Sequence, residues 1–253
     1  MDVLLPALVC ALVGGVAGWF VPQLVARVPE PLPDPEDEPE PESAQQEPAP
    51  AKELYADIAK APGLAMRATI VSALVAGLFG GVLGWTWPLV YLVPFVPLGV
   101  ALSVIDWRTR LLPTRLLAPA YPVLVVLVVL CGAVTGDWAD LRRAGYGWLV
   151  MGGFYVVTWL ISGRLLGYGD VRLSGLLGIA LGYLGWGQLV VGMLLAFPML
   201  GVPPLLLALV RRDLAVLKMQ IPFGPAMLAS AAVGVVFGAG VGRWYLRLSG
   251  ISA

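Results

Sequence analysis

Apolar residues run through this chain in long stretches with no polar stripe repeating at helical or strand spacing. Eight of these stretches stand out, at about 3–21, 68–85, 89–105, 117–134, 146–162, 173–183, 188–210 and 225–245. Most approach the ~20 residues that cross a bilayer as helix, whereas the helices of a soluble domain would keep a polar face. The pattern predicts an all-α polytopic membrane protein of about eight transmembrane helices, with the lipid bilayer as its solvent. A mean hydropathy of +0.86 and an apolar content of 59% leave no room for a soluble core of this size. The sixth stretch is the shortest, is rich in glycine, and is divided from the seventh only by residues 184–187. Trp85, Trp87, Trp138, Trp148, Trp186 and Trp244 fall near predicted span ends, where an interfacial aromatic belt belongs.

One segment breaks the pattern. From Pro29 to Pro50 the chain is Pro and Glu with some Asp, Ser and Gln, a composition that cannot bury enough apolar surface to fold and that extends by self-repulsion. Three domains follow: an N-terminal transmembrane helix (1–28), an acidic Pro/Glu-rich linker (29–66) and a multi-span unit (67–248). Within the linker a short helix is expected over 51–61, with Leu54, Ile58 and Ala61 on one face. No basic residue precedes the first apolar run and no small-residue cleavage site follows it, so this run is expected to be a retained helix.

The net charge is zero, yet ten of the sixteen acids lie between Glu30 and Asp57. No basic surface points to nucleic acid. Twelve of the sixteen Lys and Arg residues fall on the odd-to-even connections, including Arg108, Arg110, Arg115 and Arg172. The positive-inside rule then predicts a multi-pass plasma-membrane protein with both termini extracytoplasmic and the linker in the cytosol.

The chain holds no histidine and two cysteines, Cys10 and Cys131, both within apolar runs. A zinc site is therefore not expected, no cofactor is implied, and both thiols read as small hydrophobes. Outside the acidic segment two carboxylates border long apolar spans without belonging to a solvated cluster. Asp106 closes the third span in the run from Ser103 to Pro113. Asp170 precedes the sixth in Gly167-Tyr168-Gly169-Asp170-Val171-Arg172. Parity puts both on the cytosolic side at similar depth. An ionisable residue at such a place is a candidate for function, and glycines beside it let another chain approach closely.

If the two acids meet around a water, repulsion prevents both from ionising cheaply, and one stays a base while the other keeps a proton. Such a pair can hydrolyse a peptide bond without a metal. The structural alternative is that Asp106 is a helix-end residue paired with Arg108 or Arg110 and that Asp170 is an N-cap.

With these strings in hand, the chain resembles the type IV prepilin peptidases, intramembrane aspartyl proteases of the GxGD kind. The likeness rests on Ile105-Asp106 with Leu112-Pro113, on Gly167 to Leu173, and on Ile221-Pro222-Phe223-Gly224-Pro225, and it covers most of residues 68–245. It implies that Asp106 and Asp170 are catalytic, that Gly167, Gly169, Pro113 and Arg172 support them, and that the substrate is a prepilin or pseudopilin of a type IV pilus or protein-secretion system. The family cuts the short basic leader after a glycine at the cytosolic membrane face. Pro222 to Pro225 either shape a helix entrance or form a plain turn between spans.

Two departures stand out. Thr114 follows Leu112-Pro113 where the family commonly has aspartate. The paired C-x-x-C motifs of bifunctional members are absent, so N-methyltransferase activity is not expected. Two other classes compete: a proton-coupled transporter relaying ions through the two acids, and an inactive scaffold for pilus or secretion assembly.

Overall fold

The computed structural model describes residues 3–30, 53–161, 163, 166–213, 215 and 221–250. Most of the acidic linker lies outside them. The described residues form helices throughout: α1 (Leu4–Trp19), α2 (Val21–Ala26), α3 (Tyr55–Ala59), α4 (Leu64–Leu83), α5 (Leu89–Thr109), α6 (Thr114–Thr135), α7 (Trp138–Gly147), α8 (Gly153–Ile161), α9 (Tyr168–Leu184), α10 (Trp186–Leu194), α11 (Ala196–Arg211) and α12 (Phe223–Leu248). Among the described residues six helical rods, α4, α5, α6, α7 with α8, α10 with α11, and α12, are long and apolar enough to cross a membrane. The shorter apolar α1 adds to these, α9 coincides with the sixth stretch of the hydrophobic pattern without being long and apolar enough to count as a span, and the protein is a polytopic membrane protein.

The fifth rod departs from expectation at its start. Charges at Asp137, Asp140, Arg142 and Arg143 interrupt the apolar run, so the pattern alone starts the span at 146; the helix begins eight residues earlier. Asp137 caps it by accepting from the Ala139 and Asp140 amides at 3.0 and 3.3 Å, filling donors that a helix start leaves open. Arg143 binds Asp140 at 2.6 Å and donates to the Gly182 and Tyr183 carbonyls at the end of α9. Trp148 consequently sits in mid-rod, in a one-turn π-helix (Trp148–Gly152) joining α7 to α8, and not at a span end. The seventh span is also broken. Pro198 has no N–H to return to Leu194, and the rod divides at Leu195 into α10 and α11.

The least conspicuous stretch in the sequence is the centre of the molecule. α9 packs against α6, α7, α8, α10 and α12, and eleven of its seventeen residues are buried. Its glycines permit this enclosure. A Cβ on Gly178 would lie 2.4 Å from the Gly147 carbonyl oxygen, and one on Gly182 would lie 2.7 Å from that of Arg143. Backbones in contact through small residues are the usual way helices associate where lipid supplies no hydrophobic drive. Gly178→Val is therefore expected to force α7 off α9 and cost about 1–3 kcal/mol, measurable as a lowered melting temperature of the detergent-solubilised protein.

Both ends of the acidic segment are tied down beside the end of α5. The Glu30 carboxylate accepts from the Tyr55 and Ala56 amides at 3.0 and 3.1 Å, and Glu53 pairs with Arg108 at 2.9 Å. The short helix here is α3, with Tyr55 and Ile58 buried and Leu54 exposed. The face expected from Leu54, Ile58 and Ala61 is thus rotated by one residue, because the aromatic ring takes the inward position.

Candidate active site

The third span carries one turn more than its hydropathy indicates, so Asp106 lies within the last turn of α5 and not beyond it. The helix stops when Arg110 turns left-handed (φ 55°, ψ 30°) with its amide on the Asp106 carbonyl at 2.8 Å. From there Leu111, Leu112 and Pro113 lead to α6, for which Pro113 is the extended N-cap. Asp106 is 4% exposed. Its carboxylate Oδ2 accepts from the Gly224 amide at 3.0 Å, across 118 residues of chain. Gly224 is in the first turn of α12, where amides lack partners within the helix and the helix dipole favours an anion.

Asp170 lies at the opposite end of its own helix, in the first turn. α9 starts earlier than expected, with Gly167 as N-cap and Asp170 three residues in. Asp170 is therefore not the N-cap itself. Its Oδ2 reaches back to the Gly167 amide at 3.0 Å, the side-chain half of a capping box. The residue is 8% exposed, and its Oδ1 is buried with no partner among the protein atoms.

Leu112 joins the two halves. A Cβ on Gly169 would lie 2.8 Å from Leu112 Cβ, and one on Gly224 would lie 3.5 Å from Leu112 Cδ1 and only 2.6 Å from Asp106 Oδ2. The bare backbones of α9 and α12 thus close on one leucine. Arg172 secures the same junction: its guanidinium donates to the Thr114 hydroxyl and stacks on Tyr168, 4.4 Å from the ring centre. Thr114, the position where the local match to the GxGD strings breaks, holds α6 to α9 by this bond.

The Asp106 side chain accepts from Gly224, and Arg108 is occupied by Glu53. The pairing of Asp106 with Arg108 that the sequence allowed is not formed. Sequence reasoning missed Gly224 as a hydrogen-bond donor, although the Pro-Phe-Gly-Pro string marked a special turn. It also missed Leu112 as the wedge, and an aromatic group in which Tyr155, Phe197 and Phe223 rings lie 5.5–5.8 Å apart. Tyr155 donates to the Met193 carbonyl at 2.9 Å, fixing this group beside the start of α12. Among the described residues no cluster of three or more His, Cys, Asp or Glu is arranged to hold a metal.

Two buried carboxylates, each accepting from a glycine amide at a helix start, lie within a bundle of apolar rods, and the fold is that of a polytopic membrane protein. Residues 93–209 match the model of the type IV leader peptidase family, and over this region the chain is similar to that family. It is similar to the prepilin leader peptidase/N-methyltransferase of Aeromonas hydrophila, 33% identical over 149 residues that make up 58% of this chain and 49% of that protein. The protein of the same description from Aeromonas salmonicida matches over the same shares. The chain thus spans about half the length of the curated relatives it matches. No solved structure gives a significant match.

Proposed function

We propose that the protein is an aspartyl endopeptidase that removes the leader from prepilins or pilin-like proteins at the cytosolic face of the membrane, with Asp106 and Asp170 as the catalytic pair. The observation that carries this reading is the contrast within Asp170: Oδ2 is held by Gly167, while buried Oδ1 has no protein partner. A buried carboxylate oxygen in that state needs a proton or a water. The match of residues 93–209 to the type IV leader peptidase family supports the same chemistry.

In the reaction the two carboxylates share one proton. The ionised member takes a proton from water as the water oxygen attacks the scissile carbonyl carbon, and the protonated member gives its proton to the carbonyl oxygen. Collapse of the tetrahedral intermediate breaks the C–N bond as a proton passes to the leaving nitrogen. The glycine amides keep each acid in register for these steps, and Gly169 and Gly224 leave backbone space that a side chain would fill. Both acids lie at the ends of helices, in keeping with attack on a peptide that enters from the membrane surface.

Helices α4–α12 form the peptidase unit in this reading, and the excess of Lys and Arg on one side puts the site in the cytosolic leaflet. The sequence has too few thiols and no imidazole for the cysteine-rich motifs of bifunctional relatives, so the reading comprises leader removal without N-methylation. Co-expression with a prepilin, followed by mass measurement of the product's N-terminus, tests both parts. The expected product has lost its leader and carries a free, unmethylated amine; an uncut precursor overturns the peptidase reading, and an added 14 Da, roughly one methyl group, overturns the second part.

Two further variants follow. Removing residues 31–50 while keeping Glu30 is expected to leave cleavage within about twofold of wild type, because the deleted composition cannot contribute a packed surface; loss of cleavage would reveal a direct role. Arg172→Met preserves bulk but removes the bond to Thr114. Turnover is expected to fall roughly tenfold, as for a lost hydrogen bond to a charged group, with Arg172→Lys retaining part of it.

A further inference from the structure

Immediately beyond the two aspartates the helices open into an apolar groove of about 260 Å³ between α4, α5, α9 and α12. Its near end is set by residues next to the site. Ser103 is one turn before Asp106, Leu173 is one turn after Asp170, and Pro225 follows Gly224; all three line the groove. From there it follows α5 past Gly99 to Tyr91, about 18 Å of helical rise away. The Tyr91 hydroxyl is spent on the Ala180 carbonyl at 2.9 Å, which leaves Ser103 as the other polar side chain in an aliphatic and aromatic lining. The groove is open along one side, where Val71 of α4 stands exposed.

We propose that this groove seats one face of the apolar segment that follows the scissile bond in the substrate, an inference that rests on the peptidase reading. Continuity selects the occupant: a peptide held at Asp106 and Asp170 has one flank leaving along the surface and the other directed down an apolar trough into the bilayer. Size selects the binding mode. A helix with its side chains is about 10–12 Å across and exceeds a 260 Å³ cavity, whereas successive side chains on one face of a helix lying along the open side fit into it. Remote binding of this kind sets the register of the scissile bond against the carboxylates and is realised as rate.

The test uses two substrates in lipid vesicles, each with leader, scissile bond and apolar segment. One carries Leu on the face that follows the bond at helical spacing; the other carries Ala there. Wild type is expected to favour the Leu substrate at least tenfold in kcat/KM. Filling the groove with Gly99→Leu and Ala232→Leu is expected to bring that ratio near one by slowing the Leu substrate alone. An unchanged ratio, including equal slowing of both, overturns the proposal. A second measurement is independent of cleavage: Val71 is replaced by a benzophenone amino acid in an Asp170→Asn chain, and the adduct is identified by mass. Adducts to the substrate's apolar segment support the groove even if wild type cuts neither substrate, an outcome that refutes the peptidase reading alone. Adducts to lipid only, showing an acyl chain as the occupant, overturn it.

Discussion

Asp106→Asn and Asp170→Asn are each expected to reduce leader removal by at least 1,000-fold, about 4 kcal/mol of transition-state stabilisation, while the protein still accumulates in the membrane. The size follows from the division of labour. A single general acid or base contributes about 10²–10⁴-fold, and a shared-proton pair cannot operate with one member, so either change removes both functions. Asparagine keeps the shape and can still accept from Gly224 or Gly167 through its carbonyl oxygen, so the helix starts stay satisfied. The double variant is expected to be no worse than either single one, as for residues acting as a unit. The check is precursor and product measured in one co-expression gel, with membrane fractionation for folding. Normal maturation in either single variant would remove the pair from the mechanism.

Gly224→Ala is the second large effect expected, and it comes from one methyl group on a residue that has no chemistry of its own. The added Cβ would lie 2.6 Å from Asp106 Oδ2 and 3.2 Å from its Cγ, too close for either to stay. The start of α12 or the carboxylate must shift, and the 3.0 Å bond between them is lost. Displacement of a reacting group by about 1 Å can cost 10²-fold. The expected outcome is a kcat lowered roughly 100-fold with KM little changed, since substrate binding draws on other surfaces. Gly240→Ala, on the same helix with no atom within 4 Å of the new methyl, is the control expected to behave as wild type. Equal activity of the two variants would show that the Gly224 amide does not hold Asp106 for catalysis.

Much of this was legible in the chain because lipid imposes simple requirements on sequence. A helix crossing hydrocarbon satisfies its own backbone and shows apolar side chains, so length and hydropathy reveal the rods directly. An acid beside such a rod is conspicuous for the same reason, which is why Asp106 and Asp170 stood out among sixteen carboxylates. The misplaced boundaries have one origin. Charges near Trp138 and in the first turn of α9 look like loop, yet Asp137 caps its helix, Arg143 reaches carbonyls at the end of α9, and Asp170 bonds back to Gly167. Hydropathy counts a charge without seeing its partner.

By itself the sequence determined an all-helical membrane protein, its spans, and two acids on one side of it. Only the tertiary structure decided that α9, the shortest of the rods in the multi-span unit, is the buried axis, that Leu112 draws α9 and α12 onto one point, and that the Gly224 amide rather than Arg108 holds Asp106. The reason is physical. Crossing a bilayer is a local demand met residue by residue, whereas a hydrogen bond across 118 residues exists only once separate helices have packed backbone to backbone through glycines whose contacts no local pattern records.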